Sequence, residues 1–421
     1  MIARWFTQIG QTLAPTDTQG RNVRSVLIDG IGVGIVAGVV TFLAVFLTRL
    51  GASPLLVGLL TAMPAFTGML LAIPVSRFLE RQRNVAPWYS RARVLVQGSY
   101  MLIGLTPFLV PLQYTPYAII AIAALVTIPQ TIVNITFTVV MGAVAGPRQR
   151  QYLMSRRWSV LGVATALTVA AVGWGLDRVG FPLNYQLIFI GSFFGGMLSF
   201  AFSSQISIPD NPPVPPEHIG QGQIAALREG IANLRANPPF ANFVAATFVF
   251  NLGMMMALPL FPLYWVRVVH ASDTWIGVIT TVNNAVLLGA YFLWTTITRR
   301  RGNVLVLRVC AFGLGLYPLL TALTTQELPL PLFAALAGIF GAGLNLVLFD
   351  ISLATVPPER VASFVAVYQL TTYAATLVAP LIGTTLAGAV GYAPALVLAA
   401  TLRFAGAGLY VLLKVGEHSD Q

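Results

Sequence analysis

The sequence predicts an all-α polytopic membrane protein with twelve transmembrane helices, arranged as two six-helix bundles. Three observations predict it. About twelve apolar stretches of roughly 20 residues follow one another, each long enough to cross a hydrocarbon core about 30 Å thick. The basic residues gather on alternate connections, which is the asymmetry that orients helices in a membrane. The two halves of the chain also repeat one another at a constant offset. Of the 421 residues, 57% are hydrophobic and 9% charged, whereas soluble domains carry about a quarter charged residues. A formal charge of +11 would point to nucleic acid in a soluble protein. Here the arginines fall in short loops between apolar runs, so topology accounts for them and no nucleic-acid partner is expected.

In chain order the spans fall at approximately 26–48, 56–76, 94–112, 117–142, 158–176 and 185–206, then 241–265, 274–297, 304–323, 331–353, 361–387 and 394–413. Residues 1–25 are polar, lack the apolar core of a signal peptide, and form an N-terminal tail; residues 414–421 form a second tail. Nearly all of the 24 basic residues lie on one side, taken as cytoplasmic. They include Arg91 and Arg93 before the third span and Arg148, Arg150, Arg156 and Arg157 before the fifth. Only Arg49, Arg178 and Arg267 fall opposite, and Arg403 lies inside the last span. Both termini are therefore expected inside a cytoplasmic membrane. The break at 207–240 separates the bundles 26–206 and 241–413. Its prolines, Pro209, Pro212, Pro213, Pro215, Pro216, Pro238 and Pro239, forbid one continuous helix. Between them Ile224, Leu227, Ile231 and Leu234 recur at helical spacing, as in an amphipathic helix on the cytoplasmic surface.

The internal repeat is local and specific. Ala52-Ser53 and Gly58 correspond to Ala271-Ser272 and Gly277, and Asn84-Val85 to Asn303-Val304 after an arginine-rich turn in both copies. With the basic turns after the second and eighth spans, this organisation resembles the major facilitator superfamily. In that family the turn after span two reads Gly-x-Leu-Ala-Asp-Arg-x-Gly-Arg-Arg. Here Arg77 and Arg81 match it, while Ser76 and Leu79 replace the acid and the second glycine; the second copy keeps Arg299 and Arg300, with Thr295 at the acidic position. The resemblance implies a cytoplasmic gate at Arg77, Arg81, Arg299 and Arg300. It also implies a central cavity lined by spans one, four, seven and ten, with two, five, eight and eleven beside them.

Several chemistries are excluded or disfavoured. A Walker A loop needs a lysine after its glycines; the sole lysine, Lys414, has no such neighbours, so this chain does not itself bind ATP that way. Gly32-Val33-Gly34-Ile35-Val36-Ala37 lies inside an apolar span, where small residues serve close helix packing rather than a dinucleotide. A single cysteine, Cys310, and three scattered histidines, His218, His270 and His418, support no metal site, and no cofactor is expected.

Ionisable groups at membrane depth are costly and mark function. Asp29 in span one and Asp350 near the cytoplasmic end of span ten are the proton-coupling candidates; the alternative for each is a structural pair, with Arg360 the candidate for Asp350. Arg403 is expected to be structural. Uncharged polar residues supply the expected cavity: Gln130 and Asn134, with Thr138 on the same face of span four; Asn251; Asn283 and Asn284; Asn345; and Tyr368, Gln369 and Tyr373. Amides, hydroxyls and aromatics with few charges suit a small, neutral or weakly charged solute. The reading is a monomeric secondary transporter, partnered by its substrate, protons and membrane lipids, working by alternating access as a proton-linked exporter. Uptake of a sugar or similar metabolite, and non-transporting binding of a pigment, lipid or sensed solute, are the alternatives.

Overall fold

A computed structural model describes residues 18–209, 234, 237–354 and 361–417. Among them the chain forms thirteen helices and no strand: α1 (Thr18–Val40), α2 (Leu43–Arg49), α3 (Pro54–Glu80), α4 (Ala86–Leu109), α5 (Thr115–Leu176), α6 (Leu183–Ser203), α7 (Pro238–Ala257), α8 (Leu260–Arg267), α9 (Asp273–Arg301), α10 (Asn303–Ala322), α11 (Leu330–Ala354), α12 (Val361–Val390) and α13 (Tyr392–Leu412). Most of the expected amphipathic linker helix lies outside the described residues, as does Arg360.

Among the described residues, eleven stretches are long and apolar enough to cross a membrane. The twelfth expected span is α4, whose 24 residues reach about 36 Å at 1.5 Å per residue. Arg91, Arg93 and Gln97 make it too polar to count among the eleven, although its length is ample. The helix begins at Ala86, well before the expected 94. Arg91 and Arg93 therefore belong to a helix and not to the connection in which the charge pattern placed them. The expected turn between spans four and five also differs, because the backbone is helical throughout the 62 residues of α5. Yet the Arg157 guanidinium lies 4.7 Å from the centre of the Phe137 ring. A straight helix would hold residues so spaced about 30 Å apart, so α5 doubles back between them.

The chain divides into two compact units, residues 1–43 with 70–220 and residues 44–69 with 221–421. In the first, α1 packs on α5 and α6, and α4 packs on the same two helices. Glycine permits the approach of α1: a Cβ at Gly34 would lie 2.6 Å from the Leu161 carbonyl, and one at Gly32 would lie 2.7 Å from that of Gly195. The glycine run thus serves helix packing, as expected of small residues in a span. At the end of α6, Asn22 holds the chain as it leaves the unit, donating to Ser207 O at 2.6 Å and accepting from Ser207 N at 3.0 Å.

In the second unit α9 packs on α11, and α7 on α13. Its core is aromatic and aliphatic, built on Phe240, Phe243, Phe250, Trp294, Leu307, Val347 and Tyr410. The repeated Ala-Ser pair starts a helix in both copies: Ser53 Oγ accepts from Leu56 N at 3.4 Å and Ser272 Oγ accepts from Trp275 N at 3.2 Å. A serine at this position satisfies a backbone N–H that the helix itself cannot. The segment 44–69 belongs to this second unit, and polar contacts help to hold it there. Arg49 Nη2 lies 2.8 Å from Asp273 Oδ1 and donates to Ala271 O at 2.8 Å. Arg267 donates to the Tyr392 hydroxyl at 2.7 Å and to the carbonyl of Ala52.

Candidate functional site: a buried carboxylate between two arginines

Asp29 is fully buried on α1, and helices α4, α5 and α6 each bring a group to it. Ser199 donates its hydroxyl to Oδ1 at 2.6 Å, and Arg93 Nη1 lies 3.2 Å from the same oxygen. Arg157 Nη2 donates to Oδ2 at 3.1 Å, and the Tyr89 hydroxyl donates to Oδ2 at 3.3 Å. Arg93 also donates to Tyr89 Oη, its partner one turn away on α4, and to Ser199 Oγ at 3.3 Å. The carboxylate therefore accepts from three side chains and pairs with a fourth, Arg93, on three other helices. Charge-assisted hydrogen bonds of this kind are stronger than neutral ones.

The arginines are nearly as buried as the acid, with side chains 6% and 3% exposed. Aromatic faces complete their surroundings: Arg93 lies over Tyr89 at 4.5 Å, and Arg157 lies over Phe137 and also over Trp158 at 5.7 Å. Such faces attract a guanidinium through the ring quadrupole. Counted formally, two positive charges meet one negative. An ion pair of matched charges would need no further partner, whereas this cluster has one positive charge in excess.

Beside the cluster is a cavity of about 390 Å³ within the first unit. Its apolar wall comes from α1 through Val33, Val36 and Val40, and from α4 and α5 through Val96, Tyr100, Val133, Phe137, Trp158 and Leu161. Its polar lining is Arg93, Gln97, Gln130, Asn134 and Arg157. Gln130 Nε2 donates to Asn134 Oδ1 at 2.9 Å, as residues four apart on a helix can. Three atoms at this end, Arg93 Nε, Arg157 Nε and Gln97 Oε1, are buried with no hydrogen-bond partner among the described residues. Unmet polar atoms at this depth are costly.

Of the residues expected to line a cavity, the structure brings Gln130 and Asn134 to this one. Asn251, Asn283, Asn284, Asn345, Tyr368, Gln369 and Tyr373 belong to the second unit and do not line it. Asn283 donates to Ala334 O at 2.8 Å, tying α9 to α11, and Tyr368 packs on Phe243 with ring centres 5.6 Å apart. The second unit has its own cavity, of about 750 Å³, lined by Leu234, Val244, Phe248, Leu370 and other mainly apolar groups. Asp350 is exposed, and so are Arg77 and Arg81 at the end of α3 and Arg299 and Arg300 at the end of α9. Arg403 is buried; its Nε donates to Gly253 O at 3.3 Å and its Nη1 to Leu314 O at 2.9 Å.

Arg93, Arg157, Gln97, Tyr89 and Ser199 are the functional candidates that topology concealed. Sequence places the two arginines in cytoplasmic connections because both lie at the polar edge of an expected span. Their burial corrects that assignment. A signal was available on α4, where Tyr89, Arg93, Gln97 and Tyr100 recur at intervals of four, four and three residues and so share one helix face.

Comparison with known proteins follows the fold. The profile of the family described as Major Facilitator Superfamily matches residues 25–326 and 243–421. No curated protein matches the chain in sequence. Among solved structures, a mutant of the nucleoside transporter NupG is similar with a TM-score of 0.72 at 11% identity, over 94% of this chain and 100% of that one. A bacterial homologue of the iron transporter ferroportin, in an inward-facing state, is similar with a TM-score of 0.71 at 13% identity, over 95% and 99%. A POT family transporter in complex with 5-aminolevulinic acid gives 0.70 at 11% identity, over 95% and 97%. At such identities the likeness is one of fold.

Proposed function

The chain belongs to the Major Facilitator Superfamily, and from that premise we propose that it is a proton-linked secondary transporter of a small solute, working by alternating access. The observation that carries this reading is Asp29, fully buried and held by donors from three other helices. A carboxylate so placed couples helices through its charge. A proton on Asp29 removes the negative charge that Arg93 and Arg157 share, and so frees two donors beside the cavity. Two states of the cluster, one closed on itself and one open to a solute, are the local basis for coupling proton to cargo. Arg77, Arg81, Arg299 and Arg300 at the ends of α3 and α9 are assigned to the cytoplasmic gate. The protein acts as a monomer in the cytoplasmic membrane with both termini inside, in contact with lipid along its apolar spans.

Direction follows from how solute and proton share Asp29. A solute that takes the carboxylate's place at the arginines travels with the proton and is imported by an inward proton gradient. A solute that takes the proton's place on the carboxylate is exported. The excess of guanidinium over carboxylate favours cotransport, so uptake takes precedence over the export expected from sequence.

Reconstitution tests the reading. Proteoliposomes carrying a pH-sensitive dye inside are exposed to fractionated cell metabolites under an inward proton gradient. A fraction that both accumulates and acidifies the interior is expected. Asp29→Asn mimics the protonated acid, so exchange should survive while gradient-driven accumulation stops. Accumulation that persists in Asp29→Asn overturns the coupling role. Binding of a metabolite without any flux would favour the non-transporting alternative.

A further inference from the structure

We infer that the cavity of the first unit is the binding site for a small organic anion, a carboxylate with an apolar or aromatic body, seated on Arg93 and Arg157. The inference rests on the transporter reading above and adds to it the chemical class of the cargo. It departs from the neutral or weakly charged solute that the polar residues of the spans suit.

Three independent observations converge on it. The first is charge. Arg93 and Arg157 face the single carboxylate of Asp29, leaving one positive charge in excess at a depth where an unbalanced charge is costly. The other titratable group facing Asp29 is Tyr89 on α4, which is neutral as it donates to the carboxylate; Ser199 on α6 adds a second neutral donor. The cluster thus lacks one negative charge. The second is hydrogen bonding. Arg93 Nε and Arg157 Nε are buried without partners among the described residues, and both residues line the cavity. A guanidinium offers five N–H donors in a planar fork that matches a carboxylate. The third is shape and lining. A volume of about 390 Å³ falls within the usual range for small-molecule sites. Its walls, Val33, Val36, Tyr100, Phe137 and Trp158 among them, suit an apolar body whose charged end lies at the arginines. Gln97 Oε1, also buried and unpartnered, can accept from a hydroxyl or N–H next to that end.

On this view Asp29 is the competitor that holds the site's place when it is empty. Its carboxylate occupies Arg93 Nη1 and Arg157 Nη2, atoms that an incoming anion would also use. Removing its charge should therefore tighten anion binding. A residue that served only to hold the fold together would not show that effect.

The test uses the full chain in nanodiscs of zwitterionic lipid. Three probes of one shape and three charges are benzoate, benzyl alcohol and benzylamine. Binding is read by thermal shift and by quenching of tryptophan fluorescence, with Trp158→Phe to assign the signal to the cavity. Saturable binding of benzoate is expected, with at least tenfold weaker responses to the other two. In Asp29→Asn the benzoate affinity should rise about tenfold, a gain that a misfolded variant cannot imitate. Arg157→Lys should retain part of the affinity that Arg157→Gln loses. A response to benzyl alcohol or benzylamine equal to that of benzoate would overturn the inference, as would unchanged or weaker benzoate binding in Asp29→Asn. Adding phosphatidylglycerol distinguishes a lipid source: an effect of that lipid with none from benzoate would give the arginines to a headgroup and overturn the assignment to a solute. Flux of a neutral or cationic metabolite with benzoate inert would sink the anion site and leave the transporter standing. Benzoate binding with no flux of any solute would do the reverse.

Discussion

In the first unit Arg93 and Arg157 are buried against the carboxylate of Asp29, whereas in the second Arg403 is buried against the carbonyls of Gly253 and Leu314. The sequence repeats, yet the two halves bury arginine by different means. A carbonyl is part of the backbone: it cannot take up a proton, leave or be replaced, so Arg403 joins α7, α10 and α13 permanently. A carboxylate can be protonated, and a second anion can substitute for it. The contrast separates an arginine that fastens helices from arginines that can change partners. The cavities agree, since the first unit's has five polar side chains in its lining, three of them charged or amide groups on α4 and α5 with unmet atoms, and the second unit's is lined mainly by apolar groups.

The largest expected effect breaks the first arrangement. Asp29→Ala leaves two buried guanidiniums with no carboxylate, and removing one partner of a buried pair costs about 3–5 kcal/mol. Thermal unfolding in detergent should show a large fall in midpoint, or the variant should fail to accumulate in the membrane. A midpoint within a degree of the parent would mean that the cluster contributes little. The second prediction contrasts two like substitutions. Arg157→Met removes a charge-assisted hydrogen bond to Asp29 while Arg93 still balances the carboxylate, and should lower stability by about 2 kcal/mol, whereas Arg403→Met removes a charge paired with no carboxylate among the described residues and should leave stability unchanged or raise it by about 1 kcal/mol. Equal losses at both sites would erase the distinction between the units.

Hydropathy and charge made the spans legible because a membrane leaves so few ways to satisfy a backbone. Asp29 was legible too, as an acid inside an apolar run. Its partners were not. Arg91 and Arg93, like Arg156 and Arg157, lie close together at the edge of a polar stretch, and averaging over a window assigns them all to a loop. Successive residues turn about 100° around a helix, so one arginine can face inward while its neighbour does not. That is what separates buried Arg157 from half-buried Arg156. The second-unit amides are ambiguous for a related reason: Asn283 ties α9 to α11, and a hydrogen bond between helices has the same composition as a lining residue.

Two smaller effects sharpen the comparison at the periphery. Asp273→Asn removes the carboxylate that Arg49 meets at 2.8 Å and an acid from the first turn of α9, where the helix dipole favours it. Because Arg49 is a quarter exposed, a loss of about 1 kcal/mol is expected, read as a modest drop in midpoint that high salt should diminish. The smallest effect belongs to Arg299→Gln with Arg300→Gln. Both residues are exposed at the C-terminal end of α9, so stability should change by less than about 1 kcal/mol. If they form the gate, the rate of solute exchange should still change several-fold; an unchanged rate would return them to topology alone.

Arg49 and Arg267 make one further point when their acceptors are compared. Arg49 donates to the carbonyl of Ala271, and Arg267 to that of Ala52; Ala52 and Ala271 occupy the same place in the internal repeat. Each copy of the repeat thus contributes an arginine at the end of a short helix and receives the other copy's arginine on the alanine that follows. A contact in which i meets j while j meets i is the signature of twofold association between identical subunits. Two copies of such a turn need only one arginine and one alanine carbonyl each to make both contacts, although Arg267 stands one residue earlier than the offset of the alanines would place it. The two copies differ at the next position, where Pro54 follows the first alanine-serine pair and Asp273 the second, so only one of the two contacts carries a carboxylate.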